Sequence, residues 1–350
     1  MKATLACAAL ASTLLTSGLL GASTAQQQPT GGADINDHAL AAAVSTTGVS
    51  CDATTDYGDA NGIALDAQGN VYTALGVAAG AGGSAAGVEV QKWSPMGHLL
   101  ATWTTPGGHR SAVHHPVGIA VDVHGAIYVT DPNAGHIDKL APTGRVTAVW
   151  GETGTAPGQF ENPAGVTIDR RGDVYVADKG NSRVQVLDAA GRVHAVWRLS
   201  PWLRQPSRPS GIAVDVHGRV YIADETIRIL VLSPHGTTLR AWGSKGSKPD
   251  EFRHPVSIAL DPQDRLDIAD KLNARIQQFS GTGTPLTRWA TGTTGWFNAH
   301  SAVSDQPAFP TGVAVAANGT IYTLAGWCPS RVQTFTPAGH TIAIWPATIG

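Results

Sequence analysis

Histidine is the residue type here best suited to chemistry near neutral pH, because an imidazole can ligate a metal or move a proton there, and its 13 copies are unevenly placed. His98, His124, His217, His235 and His340 stand in glycine-bearing turns, where exposed imidazoles are expected. His109, His114, His115, His254 and His300 fall instead in the segments that join one repeated unit to the next, together with Arg110, Arg208, Trp296 and Asp305. His115 and His254 occupy equivalent positions, each directly before a proline. This set could supply a general base, with His115, His254 and His300 as candidates, or ligands to zinc or calcium. His109, Arg110, His114, Arg208, Trp296 and Asp305 would instead line a site for a small-molecule, glycan or protein ligand. No metal-ligand set is assigned, because His115 and His254 would face each other across a ring. The recurring pairs Asp178 with Arg183, Asp224 with Arg228 and Asp270 with Arg275 read differently. A site is normally one constellation, so a pair repeated in successive units is expected to tie a loop to its neighbour. Asp66, Asp122, Asp169, Asp215 and Asp261 precede a first turn and suit turn capping. No nucleophile elbow, phosphate loop or dinucleotide fingerprint is present.

What must position these residues is an internal repeat of about 45 residues, the unit length of radial β architectures. Copies begin at Asn61, Pro116, Pro163, Pro209, Pro255 and Pro310 and end at Trp103, Trp150, Trp197, Trp242, Trp289 and Trp345. Within each, four short alternating or β-branched runs separated by turn signals predict four antiparallel strands; in the third copy these cover 165–169, 173–177, 183–187 and 193–197. Glycine recurs in the first turn at 69, 125, 172, 218 and 319 and in the third turn at 97, 144, 191, 236, 283 and 339. Tyr72, Tyr128, Tyr175, Tyr221 and Tyr322 share one position of the second strand, which predicts packing rather than catalysis. The expected fold is all-β, a six-bladed propeller of four-stranded antiparallel blades.

The repeats PVGIAVDVHGAIYVTD (116–131), PAGVTIDRRGDVYVADKGNSRVQVL (163–187) and PVSIALDPQDRLDIADKLNARIQQF (255–279) resemble the NHL-repeat family, and the resemblance runs from Asn61 to Trp345. It implies a propeller scaffold. The family includes the peptidyl-hydroxyglycine amidating lyase, whose zinc histidines follow the blade-opening proline; the corresponding residues here are Asn61, Val117, Ala164, Ser210, Val256 and Thr311. None is histidine, so the scaffold is implied without that metal constellation. Streptogramin lyases are similar propellers, and the likeness to them is of general blade character. Some NHL domains bind RNA and some exported bacterial ones resemble ligand sensors. With 24 basic against 26 acidic side chains and only 14% charged residues, no basic field argues for nucleic acid.

Departures from the repeat mark the expected recognition side. Gly76 to Gly87, Thr104 to His115 and Thr291 to Phe309 are additions that share one face around blades 6, 1 and 2. Asp131, Asp178, Asp224 and Asp270 end the second strand in blades 2 to 5, while Leu75 and Leu324 are read in that place in blades 1 and 6. Residues 1–25 read as a secretory signal, with Lys2, an Ala/Leu-rich run and a small-residue site at Ala25, which predicts a secreted or periplasmic protein with no later membrane span. Residues 26–50 read as a flexible leader and 51–350 as the propeller. Cleavage would leave Cys51 and Cys328, and ring closure would bring them together as a disulfide worth on the order of 5 kcal/mol, the alternative being two free thiols. The functional expectation is a monomeric binding module using loops near blades 6, 1 and 2; the alternative is a hydrolase or lyase with a histidine-based site on the same face.

Overall fold

The computed structural model of the protein describes residues 62–77, 87–106, 118–199, 206–291, 309–325 and 330–346. All of them lie in the unit Gly48–Gly350. The expected signal and leader, the Cys51 to Cys328 disulfide, and His109, Arg110, His114, His115, Trp296, His300 and Asp305 fall outside these residues.

Six four-stranded antiparallel sheets follow one another in chain order, each hydrogen-bonded from its first strand to its fourth. In the third blade the strands are Pro163–Ile168, Val174–Asp178, Arg183–Leu187 and Val193–Arg198. The first begins earlier, and the second ends later, than the alternation alone predicts, because Pro163 still pairs with Asp178 beyond a register shift. Each blade's first strand touches the first strands of both flanking blades, the sixth meeting the first, so these strands ring an axis and the sheets radiate from it. Among the described residues one short 3-10 turn, Lys271–Asn273, interrupts the all-β architecture, and no helix is long and apolar enough to cross a membrane.

The repeat residues hold neighbouring blades together. Second and third strands are almost entirely buried, and their apolar side chains pack across blade boundaries; Ile63, Val71 and Leu75 of blade 1 join Ala314, Tyr322, Leu324 and Trp345 of blade 6 in one cluster. Every third-turn glycine lies against the tryptophan of the preceding blade: Gly97 on Trp345, Gly144 on Trp103, Gly191 on Trp150, Gly236 on Trp197, Gly283 on Trp242 and Gly339 on Trp289. A Cβ at any of the six would fall 3.0 Å or less from the indole, and each has φ between 79° and 86°, so glycine is required twice over. The tyrosine hydroxyls of blades 1 to 4 donate to the first-turn aspartates at 3.1–3.3 Å, and those aspartates accept turn N–H groups as expected.

Three local findings go beyond the repeat pattern. Glycine also recurs where first strands meet: a Cβ at Gly118 or Gly165 would come within 2.5 Å of the next strand's Ala164 or Ser210 carbonyl, and blade 5 alone among the described first strands carries a side chain at this place, Ser257, whose Oγ accepts from Val313 N at 3.2 Å. In blade 6 the register pairs Ala325, not Leu324, with Arg331, as Asp178 pairs with Arg183; Leu324 points into the core one residue earlier, which corrects the sequence alignment there. Blade 5 places Asp267 where the other blades have tyrosine. It is fully buried, takes one hydrogen bond from Gln278 at 3.1 Å, and leaves Oδ2 without a partner. Burial, opposed by the Gln278 hydrogen bond, pushes its carboxyl up to about 7, with Asp261 adding to the rise and Arg265 countering it.

In blade 1 the strands are lengthened on the face that bears the connections. Val71–Val77 and Gly87–Trp93 pair as far as Val77 with Gly87, and the fourth strand runs Leu99–Pro106. The ends of two of the expected additions are therefore extensions of a hairpin.

Candidate functional site

The face that bears the connections is organised by the Asp–Arg pairs. In blade 3, Arg183 donates Nε to Asp178 at 2.6 Å, Nη1 to Thr155 O at 2.6 Å, and Nη2 to Ala156 O at 3.0 Å and Gln159 O at 2.7 Å. In blade 5, Arg275 repeats the arrangement with Asp270, Ser247 O, Lys248 O and Glu251 O at 2.5–3.0 Å. Both connections are built alike, each with a short parallel bridge and a fully buried phenylalanine, Phe160 or Phe252, beneath it. The guanidinium donors are consumed by loop carbonyls, so these pairs tie loops down and have little left for a ligand.

Blade 4 departs from this. Arg228 donates Nε to Asp224 Oδ2 at 3.0 Å, and its Nη2 lies 2.8 Å from the same oxygen without making a hydrogen bond. Among the described residues no carbonyl accepts from either Nη, and most of the connection between blades 3 and 4, residues 200–205, lies outside them. Instead Ser207 Oγ donates to Asp224 Oδ2 at 2.6 Å and Thr226 Oγ1 to Asp224 Oδ1 at 2.8 Å. Ser207 and Thr226 also line a recess of about 310 Å3 between blades 3 and 4, together with Asn162, Lys179, Ser182 and Arg208.

Glu225 gathers the charged groups at the edge of this recess. Lys179 Nζ lies 2.6 Å from Oε1, Arg208 Nε 3.4 Å from Oε2, and His254 Nε2 3.8 Å from Oε2, the last a charge contact rather than a hydrogen bond. Burial opposes ionisation of Glu225, but His254 and Lys179 beside it overcome that and hold the carboxyl down near 2. Glu225 and Lys179 are well buried, whereas the Arg208 side chain is 59% exposed and the His254 side chain 33%. Arg208 and His254 are thus the two expected residues that the described structure brings together. The sequence reasoning overlooked Lys179, Glu225 and Arg228. The available signal was the residue after each strand-ending aspartate, which alternates as Lys179, Glu225 and Lys271 through blades 3 to 5.

A second departure lies in blade 2, where His136 takes the place of the tying arginine, opposite Asp131 in the register, with Nε2 3.5 Å from Asp138 Oδ1. Burial disfavours the imidazolium, but Asp138 and Asp131 outweigh it and raise the imidazole's pKa. On the opposite face His98, His124, His217, His235 and His340 are exposed, as expected. The central channel, about 70 Å3 and ringed by Gly62, Gly118, Gly165, Gly211 and Ser257 among others, has room for a few waters at most. Among the described residues no group of three or more His, Cys, Asp or Glu is arranged to hold a metal ion.

Residues 160–187, the third-blade repeat with its Asp178–Arg183 tie, match the family model for the NHL repeat. That match, six like blades and propeller neighbours together support assignment to the NHL-repeat propellers. Solved structures similar to the protein include a streptogramin B lyase (16% identity, TM-score 0.56, 86% of each chain covered) and virginiamycin B lyase from Staphylococcus aureus (16% identity, TM-score 0.57, 85% of this chain and 86% of that one). A catalytically inactive histidine-to-alanine variant of the latter, with quinupristin, is similar at TM-score 0.55 and 16% identity over 83% and 85% of the two chains. At this identity the likeness is one of fold. No curated protein matches the sequence.

Proposed function

We propose that the protein is an exported binding module that takes its ligand on the face bearing the inter-blade connections. The observation that carries this is the recess beside Glu225, at whose edge Arg208 and His254 remain open to solvent. A rigid scaffold presenting irregular connections is where recognition is ordinarily built. The lengthened hairpin of blade 1 and the connections at 107–117 and 292–308 belong to the same face in sequence order, so His109, Arg110, His114, Trp296 and Asp305 are proposed to contribute there. Fragment soaking of crystals tests the reading. Bound fragments should collect on the connection-bearing face; if they collect at the turns of His217 and His235, and alanine changes there abolish binding, the reading fails.

A second reading is a lyase using His254, favoured by the Glu225 carboxylate 3.8 Å from its imidazole. Its test is incubation with quinupristin followed by chromatography. Consumption that disappears in His254→Ala supports the lyase, and an unchanged substrate with active-enzyme controls removes that activity.

A further inference from the structure

The joint between blades 5 and 6 is put together differently from the other five. At each of those, the second-strand tyrosine of one blade, Tyr72, Tyr128, Tyr175, Tyr221 or Tyr322, packs among apolar side chains of the next. At the sixth, Asp267 holds the register position of the tyrosine, opposite Ala259 as Tyr221 is opposite Ala213, and Gln278 beside it is buried too. The apolar cluster shrinks accordingly. Among the described residues it keeps five buried members, Ala269, Ile276, Val313, Ile321 and Phe335, where the other joints have nine to eleven. The turn leading to this aspartate is irregular as well. Asp264 takes the place of the first-turn glycine with φ 58°, a left-handed conformation that an aspartate adopts less readily. Gly281 replaces the proline that lies against that turn in blades 1, 2, 4 and 6, and a Cβ there would come 2.9 Å from Asp264 O. All four turns that close over the joint on this face, 261–265, 280–284, 316–320 and 336–340, are among the described residues.

The charged groups around Asp267 do not answer its carboxylate. Arg265 is engaged by Asp261 Oδ2 at 2.5 Å, Asp261 adds a second negative charge, and Asp264 acts on Arg219 and Tyr221 of blade 4. Blade 6 sets Val313, Val315, Ile321 and Phe335 against blade 5. Its described titratable side chains stand elsewhere: Tyr322 packs towards blade 1, Arg331 lies opposite Ala325 at the connection-bearing end, and His340 is exposed. An ionised Asp267 is therefore relieved by water, and water reaches it when the two blades part. We propose that the joint between blades 5 and 6 is the seam at which the ring opens, held shut in acid by the Asp267 proton and released as the pH rises towards neutral. Shut, the seam keeps the carboxyl protonated up to about pH 7; parted, it exposes a solvated carboxyl that ionises as an ordinary aspartate, near 3.8. Opening thus releases a proton between those two values, and each unit of pH rise in that interval favours the parted seam about tenfold. None of this depends on which face takes the ligand.

Hydrogen exchange of the full chain, followed by mass spectrometry at pH 4.5, 6 and 7.5 and corrected for intrinsic exchange rates, reads the seam directly. Protection of peptides covering 266–279 and 310–325 should fall at least about tenfold from pH 4.5 to 7.5, while the matching peptides 174–187 and 220–232 of blades 3 and 4 change by less than about threefold. Asp267→Asn, neutral at every pH, should abolish the pH dependence of the seam peptides. Asp267→Tyr should give them the protection seen at the other joints. Either variant decides the matter if the other does not fold, and the comparison of joints in the unaltered chain stands without both. Unchanged protection at the seam, an equal fall at every joint, or a fall that persists in Asp267→Asn overturns the proposal.

Discussion

Blades 4 and 5 each depart from a pattern that several other blades share, and they do so on opposite faces. Blade 4 keeps the Asp224–Arg228 pair, but among the described residues no carbonyl receives the arginine, and the pair lies behind Ser207 and Thr226 of a recess open to solvent. Blade 5 keeps its arginine fully bonded but replaces tyrosine with Asp267, whose orphan oxygen is sealed in the core. An unmet donor next to solvent can be met by water or a ligand. An unmet acceptor in the core has only a proton to turn to. The same kind of departure is thus a binding opportunity in one blade and a pH-dependent weakness in the other.

The largest effect should separate the two kinds of arginine. Arg183→Ala removes four hydrogen bonds, three of them ties to loop carbonyls, and leaves the buried Asp178 without its cation though still bonded by Glu161 N, Asn181 and Gln185, costing about 3–5 kcal/mol in chemical denaturation. Arg228→Ala should cost clearly less, because among the described residues Arg228 gives one hydrogen bond, to Asp224, where Arg183 gives four; equal losses would break the comparison. Next comes Asp267. Below pH 3.8 the folded and unfolded chains both hold its proton. As pH rises from there to about 7, only the folded chain keeps it, so stability falls across that window and the deficit is complete above it. Asp267→Tyr should therefore raise stability by about 2–4 kcal/mol at pH 8 and change little at pH 3.5, read from melting temperatures across pH. Glu225 has the opposite sign: its folded carboxyl lies below 4.5, so its contribution is present above that pH and is lost as pH falls towards 2. Glu225→Gln should lose about 1–3 kcal/mol at pH 7 and nothing at pH 2. The smallest effect is Ser257→Gly, which restores the axial glycine of the other described blades and gives up the bond from Val313 N, a loss of about 1 kcal/mol or less by denaturation.

The sequence carried most of the scaffold because its signals are local and repeated: glycine at fixed turns, tyrosine and tryptophan at fixed strand positions, and aspartate before the first turn in five of the six blades. The axial glycines went unread because what they avoid, a neighbouring strand's carbonyl, is remote in sequence. Leu324 was misaligned by one residue because an apolar run has no internal mark, and the pairing of Ala325 with Arg331 supplies it. At the site, Arg208 and His254 were legible as solvent-facing residues before a proline. Arg228 was passed over because by type it equals Arg183; its spacing of four residues from Asp224, against five from Asp178 to Arg183, was the available mark. Glu225 was passed over for a similar reason, as its meaning comes from Lys179 in the blade before and His254 in the blade after.

The six tryptophan-on-glycine contacts have a mechanical corollary. Trp345 seats on Gly97 just as Trp103 seats on Gly144, so the joint between the last blade and the first is made from the same parts as the other five. By these six contacts, all among the described residues, no joint is privileged. A circularly permuted chain opened within a different inter-blade connection would inherit all six seats unchanged, and where the polypeptide starts becomes a matter of synthesis rather than of which blades hold together.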